Sequence, residues 1–272
     1  MVDPSVKNVL KFLTYLFNHD ELAFNSINVA RSAISSFLSI DNKVGEHPLI
    51  CRFMQAVYNK RPFIPKNNVV WDTKLVLDFL SKWHPAKNLS LKQLSIKTVL
   101  LCLLVSGQRG QTIWLMNLKN MQFLKDRVTC AIGDLLKTTN AKNHQSELCF
   151  KRYTNKSLCV CHYLSQYRRR TKHLRGKERG GGTGFFITCI PPHTPIKRGT
   201  LTSWAKTGLT LSGVDMGKFT PHSTRAASTS KAKSSVAIST IMKTAGWRNA
   251  STFARFYDKK IESEGWTMQD LH

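Results

Sequence analysis

Two stretches near the C-terminal end organise this sequence: T-P-H-S-T-R over residues 220–225, and A-G-W-R-N-A-S-T-F-A-R-F-Y over residues 245–257. The Thr-Pro pair that opens the first stretch predicts a helix start, because threonine can cap free backbone N–H groups and proline has no N–H to leave unpaired. His222 and Arg225 are three residues apart and would project from one face of that helix. A helix N-terminus that carries a histidine and an arginine favours phosphate binding.

The second stretch ends one helix and begins another. Gly246 followed by Trp247 is typical of a helix C-terminus, and Ser251 can cap the next short helix. Tyr257 lies on that short helix.

This order of motifs, H-x-x-R, then Gly with His or Trp, then Tyr, resembles the C-terminal signature of the tyrosine recombinases, the phage integrase family. That family also has an arginine in a G-x-R turn upstream and a lysine on a β-hairpin. The counterparts here are Gly107-Gln108-Arg109 and Leu136-Lys137-Thr138. Each motif alone is weak, but their joint order is specific. Within the family, the sequence most resembles the recombinases of DIRS-type retrotransposons and Crypton-like elements of eukaryotes.

The resemblance implies a mainly α fold with a small antiparallel β-sheet (α+β). A helical core-binding domain over residues 1–62 would precede the catalytic domain over residues 63–272. The boundary lies in a segment, residues 59–66, whose two prolines and several charges predict a linker. The first domain is shorter than its family counterpart, so we interpret it as truncated.

The family chemistry implies a role for each of five residues. Tyr257 would attack a phosphodiester phosphorus and form a 3′-phosphotyrosyl link, which another strand's hydroxyl can reverse without ATP. Arg109 and Arg225 would hold the non-bridging oxygens, because guanidinium forks fit phosphate. Trp247 would add an indole N–H donor, and His222 would exchange a proton or steady the phosphate.

Lys137 is the counterpart of the family's general acid, which protonates the leaving oxygen. It would lie on a hairpin, because the hydrophobic period shifts toward two between residues 121 and 150. Lys142 is a rival for the same role. A solvated loop lysine is the alternative interpretation for both.

Charge indicates the class of partner. Lysine and arginine total 41 against 16 acidic residues, giving a formal net charge of +25. Basic residues are spread along the whole chain, which favours a long polyanion, double-stranded DNA, over a membrane surface. The longest apolar run, residues 99–105, is too short to cross a bilayer. The start of the sequence does not resemble a signal peptide, so we expect a nuclear protein if its source is a eukaryotic element, otherwise a cytoplasmic one, and not a secreted one.

No cofactor is predicted. The sequence has neither a carboxylate cluster for two-metal phosphoryl transfer nor a Walker A motif, so we expect chemistry independent of metal and ATP. Cys159, Cys161 and His162 suggest half of a zinc site, but no second pair completes it, and free thiols are the favoured interpretation. A basic run over residues 168–175 fits DNA contact, a nuclear-import signal or a solvated face.

Three functions remain open at this point. The first is a site-specific DNA recombinase, which in this family assembles as a tetramer on DNA. A type IB topoisomerase shares the chemistry but relaxes DNA as a monomer. A decayed or domesticated protein would only bind DNA, and the retention of all the candidate catalytic residues argues mildly against it.

Overall fold

The computed structural model describes residues 5–37, 44–62, 69–134, 147–175, 183–247, 251, 253–254 and 257–262. The chain separates into two compact units, divided between residues 66 and 67. Helices dominate and a small antiparallel sheet accompanies them, which confirms the predicted fold class. None of the described helices is both long enough and apolar enough to cross a membrane.

The described part of the first unit is a bundle of α1 (Val6–Asn18), α2 (Phe24–Phe37) and α3 (Pro48–Lys60). Leu13, Ile27 and Ile50 are fully buried at its centre. Arg61 closes the bundle, because its Nη1 donates to the carbonyls of Phe17 at 2.9 Å and Leu22 at 3.2 Å. This residue, predicted to be a linker charge, is therefore part of the bundle.

The second unit is built around one buried helix, α5 (Leu91–Ser106). Ser90 and Gln93 form a capping box at its start. Every residue over 94–104 is buried, as expected for a helix surrounded by protein. The other helices of this unit are α4 (Thr73–Lys82), α6 (Gly110–Trp114), α7 (Val160–Thr171), α8 (Arg198–Leu211), α9 (Ser223–Ala232) and α10 (Ile238–Ala245).

Two small sheets complete the second unit. Strands β2 (Met121–Phe123), β3 (Arg127–Cys130) and β4 (Leu148–Lys151) form the predicted antiparallel sheet. Strand β1 (Val69–Trp71) pairs in parallel with β5 (Lys260–Glu262), near the C-terminal end. The connection between β3 and β4 includes residues 135–146, so Lys137 and Lys142 both lie outside the described residues.

Helix α9 begins later than its sequence predicts. Its first residue is Ser223, and His222 stands at the N-cap position without a side-chain capping bond. The predicted start at Thr220 is therefore wrong. The backbone turns first: the amide of Ser223 donates to the carbonyl of Thr220 at 2.9 Å, and the Ser223 hydroxyl donates to the same carbonyl at 2.7 Å.

Candidate active site

Arg109 is positioned by the end of the central helix. Helix α5 stops at Gly107, whose φ of 57° is left-handed and favours glycine. A Cβ on Gly107 would lie 2.8 Å from the Thr229 side chain, so α9 approaches the turn too closely for a larger residue, and 3.5 Å from Ala245 of α10, an ordinary contact. Arg109 follows as the N-cap of α6.

Arg225 lies in the first turn of α9 and is only 5% exposed. Its guanidinium carbon is 4.2 Å from the centre of the Trp247 ring and 5.2 Å from that of Tyr257. All three guanidinium nitrogens are buried, and none has a hydrogen-bond partner among the described residues. Most buried polar groups are paired, so a buried arginine with every donor unused is unusual.

Burial makes this arginine costly to keep charged. Loss of water around the Arg225 guanidinium, reinforced by the nearby charge of Arg109, lowers its pKa to about 10. The Tyr257 hydroxyl, which is near the guanidinium but does not meet it with hydrogen-bond geometry, partly opposes the effect. The guanidinium is still cationic at neutral pH. An uncompensated buried charge destabilises a fold by about 3–5 kcal/mol. An anion bound between the two arginines would remove that penalty.

Trp247 forms the wall behind Arg225. Helix α10 ends at Gly246, whose φ is 70°, and the chain then turns Trp247 inward, where it is 7% exposed. Its ring lies 5.2 Å from Phe253 and 4.5 Å from Tyr257, measured between ring centres. Its indole Nε1 is buried and has no partner among the described residues. Trp247 therefore packs the site and also leaves one donor unused.

Tyr257 is half-buried and held by its backbone. Its carbonyl accepts from the Ser230 hydroxyl at 2.5 Å, and its amide donates to the Phe253 carbonyl at 2.8 Å. One residue later, Asp258 forms an ion pair with Lys233, the C-cap residue of α9. Strand β5 then pairs with β1. The tyrosine is thus fixed on α9 beside the arginine.

These groups surround a cavity of about 250 Å³. Four of the six predicted residues line it, namely Arg109, His222, Arg225 and Tyr257. Trp247 lies behind this lining and packs against Arg225 and Tyr257. The structure thus brings together five of the six. Lys137, as stated above, lies outside the described residues.

Sequence reasoning did not select the other polar side chains that line the cavity. They include Gln108, Arg198 and Thr224. Thr224 is 1% exposed, and its hydroxyl has no partner among the described residues. Gln108 and Thr224 occupy the variable positions of G-x-R and H-x-x-R, where the motif specifies no residue type. Arg198 begins α8 and had no motif to mark it.

The basic run over residues 168–175 divides into two groups. Arg170 donates to the carbonyls of Ala86 and Leu89. Arg175 donates to the carbonyls of Gly184 and Phe185. These two arginines therefore hold loops of the fold, whereas the exposed residues Arg168, Arg169, Lys172 and His173 remain accessible to an anionic partner.

The fold and the site define a class: a helical protein with a cavity lined by arginines, a histidine and a tyrosine. Residues 77–263 match the model of the phage integrase family. The chain belongs to that family, as its motifs predicted. None of the curated proteins compared with this chain matches its sequence. The narrower resemblance to DIRS-type and Crypton-like elements stays a prediction.

Solved structures share the fold at low sequence identity. The Tn1549 transposon integrase, in complex with transposon right end DNA, aligns with a TM-score of 0.59 and 13% identity over 97% of this chain and 82% of that one. The lambda integrase fragment 75–356, a dimer bound to a COC′ core site, aligns with a TM-score of 0.54 and 12% identity, over 97% of this chain and 82% of that one. XerH recombinase bound to difH substrate aligns with a TM-score of 0.52 and 10% identity, over 92% of this chain and 69% of that one.

Proposed function

We propose that this protein is a site-specific DNA recombinase or integrase that cuts and rejoins strands through a 3′-phosphotyrosyl intermediate. The observation that carries the proposal is the cavity in which Tyr257 contacts Arg225, a buried cation whose three nitrogens have no partner among the described residues. A scissile phosphate is the anion that such a site would neutralise.

The chemistry follows from the side chains present. The Tyr257 oxygen would attack phosphorus, lose its proton and displace a 5′ hydroxyl of the cut strand, which takes up a proton. Arg109, Arg225 and the Trp247 indole would bind the oxygens whose negative charge grows in the transition state. His222 is exposed at the rim of the cavity and can accept or return a proton. Lys137 remains our candidate for the acid.

The step conserves the phosphodiester energy in the tyrosyl link. A hydroxyl of a second strand can therefore reverse it, and we propose that neither ATP nor a metal is required. The basic charge of the chain supports double-stranded DNA as the partner. Lambda integrase has also been solved as a tetramer bound to a Holliday junction, and we propose a homo-oligomer on DNA here as well.

Replacement of Tyr257 by Phe tests the nucleophile. A duplex nicked near the cut site traps the covalent adduct, because the short strand leaves and cannot rejoin. Wild-type protein should accumulate adduct, whereas Tyr257→Phe should bind the same duplex with unchanged affinity and form none. Tyr153→Phe is the matched control, since Tyr153 is 56% exposed and lies outside the cavity lining; it should react like wild type.

Three results would discriminate the functions. If Tyr257→Phe still forms adduct, the nucleophile is wrong. If wild type binds DNA but forms no adduct, the protein is a DNA-binding relative without activity. If wild type forms adduct and relaxes supercoils as a monomer without joining strands of two duplexes, it is a topoisomerase.

A further inference from the structure

Gln108, the residue before Arg109, is buried and makes several hydrogen bonds. It is 4% exposed. Its Nε2 donates to the carbonyl of Thr244 at 2.7 Å, and its Oε1 accepts from the Thr112 hydroxyl at 3.3 Å. Its backbone N–H donates to the Ser106 hydroxyl at 3.2 Å.

The bond to Thr244 connects two distant parts of the chain, 136 residues apart. Gln108 belongs to the turn that presents Arg109. Thr244 belongs to the last turn of α10, two residues before Gly246, where the chain bends and places Trp247 against Arg225. The Gln108 side chain therefore joins the turn that carries Arg109 to the end of α10, which carries Trp247.

We propose that Gln108 is a positioning residue that sets the spacing between Arg109 and the Arg225–Trp247–Tyr257 group. The inference rests on the proposed function and adds a specific role to it. Close packing alone brings the turn near α10, as the space around Gly107 shows. Packing is tolerant of small sliding movements, whereas a hydrogen bond to one carbonyl fixes a distance and a direction.

The spacing matters because both guanidinium groups must bind one phosphate. A displacement of about 1 Å in a catalytic site can lower a rate by about 100-fold. Without the Gln108 amide, the Thr244 carbonyl would lose the partner recorded in the structure, and the end of α10 would be free to move away from the Arg109 turn. The fold would survive while the pocket lost its geometry.

The test uses Gln108→Met, which keeps the length of the side chain and removes both its donor and its acceptor. Thr112→Val is the matched control. It removes the other side-chain hydrogen bond of Gln108 at the same buried place but leaves the bond to Thr244. Both variants are made in the full chain, and their melting temperatures and duplex affinities are measured first.

The first readout is hydrogen exchange, which needs no activity. The amides of Gly246 and Trp247 donate to carbonyls of α10. In Gln108→Met they should exchange about fivefold faster than in wild type, because the end of the helix has lost one tether. In Thr112→Val they should exchange as in wild type. Unchanged exchange in Gln108→Met would overturn the proposed coupling.

The second readout is adduct formation on two nicked duplexes, one with a normal scissile phosphate and one with a neutral methylphosphonate. Gln108→Met should react about 10–100-fold more slowly than wild type on the phosphate. Its deficit should shrink on the methylphosphonate, because that group carries less charge for two aligned arginines to hold. A merely structural defect would slow both substrates equally.

The outcomes separate the two proposals. Equal loss on both substrates, or wild-type rates on both, contradicts a positioning role for Gln108 even if the recombinase proposal stands. If wild type forms no adduct on either duplex, the proposed function fails. The exchange result then still decides whether Gln108 couples the two segments.

Discussion

Among the described residues of the second unit, two cations, Lys97 and Arg225, are buried, and they have opposite surroundings. Lys97 on α5 is fully buried, and its Nζ donates to the carbonyls of Leu80 at 2.6 Å and Trp83 at 2.7 Å. It also lies 4.0 Å from the centre of the Tyr163 ring. Arg225 is almost as buried, yet none of its guanidinium nitrogens is paired within the described residues.

The hydrogen-bonding needs of Lys97 are met within the protein. Burial lowers the pKa of Lys97 to about 7. A neutral amine has two N–H donors, and the two carbonyls at the end of α4 are two acceptors. Lys97 can therefore lose its proton and still be satisfied, and it serves to join α4 to α5.

The arginine has no such alternative, because it keeps its proton at neutral pH. Its neighbours are two aromatic faces and an open cavity. Aromatic faces attract a cation but accept no ordinary hydrogen bond from all three nitrogens. A buried cation whose donors are all used supports the fold, whereas one that lines a cavity and has unpaired donors indicates a binding site.

The largest effect is expected when each cation is replaced by methionine, which distinguishes a binding role for Arg225 from a structural role for Lys97. Arg225→Met should lower the rate of adduct formation about 100- to 1,000-fold, since it removes charge stabilisation from the transition state. In the absence of anions it should be at least as stable as wild type, because an uncompensated buried charge is gone. Adduct trapping and chemical denaturation measure the two effects.

Lys97→Met is the counterpart, and at a temperature where it stays folded it should form adduct at close to the wild-type rate. A loss of activity in folded Lys97→Met equal to that of Arg225→Met would break the distinction. So would a large loss of stability in Arg225→Met, since that would show that the arginine supports the fold.

The next largest expected effect is a pH dependence of stability that Lys97 should cause. The folded-state pKa of Lys97, about 7, lies below its usual value of 10.5. The unfolded chain therefore binds more protons between these values, so the lysine's contribution to stability rises from pH 7 to pH 10.5. Below pH 7 Lys97 is charged in the folded state, and the full cost of burying that charge lowers the stability. The difference in unfolding free energy, wild type minus Lys97→Met, should rise by up to about 1.4 kcal/mol per pH unit in this window.

Neighbouring groups do not obscure this window. Burial and nearby cations lower the pKa of His162 in the folded state, so this side chain is neutral above pH 7. Burial raises the pKa of Tyr163 to about 12, and that shift is shared by wild type and variant. Thr98→Val, on the same helix, is the control and should leave the pH dependence unchanged. A flat difference between pH 7 and 9 would mean that Lys97 stays charged when buried.

The motifs predicted most of the site because its chemistry demands particular residue types. Arg109, Arg225, His222 and Tyr257 belong to an ordered signature, and the structure places all four around one cavity. Helix caps such as Ser90 and Gly107 were also predictable, since capping depends on a few adjacent residues.

What the sequence did not reveal depends on contacts between distant segments. Lys97 interrupts an apolar helix, and nothing nearby in sequence shows that its acceptors are carbonyls at the end of α4. Arg170 and Arg175 look like their exposed neighbours in a basic run, although both bind loop carbonyls. Gln108 likewise finds its partner 136 residues away.

The smallest expected effect tests whether the Arg225 cavity binds an anion in the absence of DNA. Inorganic phosphate bound near both arginines would stabilise the folded state, because the unfolded chain has no such site. At about five times its dissociation constant it should add about 1 kcal/mol to the unfolding free energy. Sodium chloride at equal ionic strength corrects for screening of the net positive charge.

The two buried cations again supply the comparison. Lys97→Met should respond to phosphate as wild type does, since Lys97 is not part of the cavity lining, whereas Arg225→Met should lose the phosphate-specific part of the shift. Equal stabilisation of all three proteins would mean that phosphate acts on the basic surface as a whole. In that case the unpaired nitrogens of Arg225 would not mark a preformed anion site, and its geometry would depend on DNA for completion.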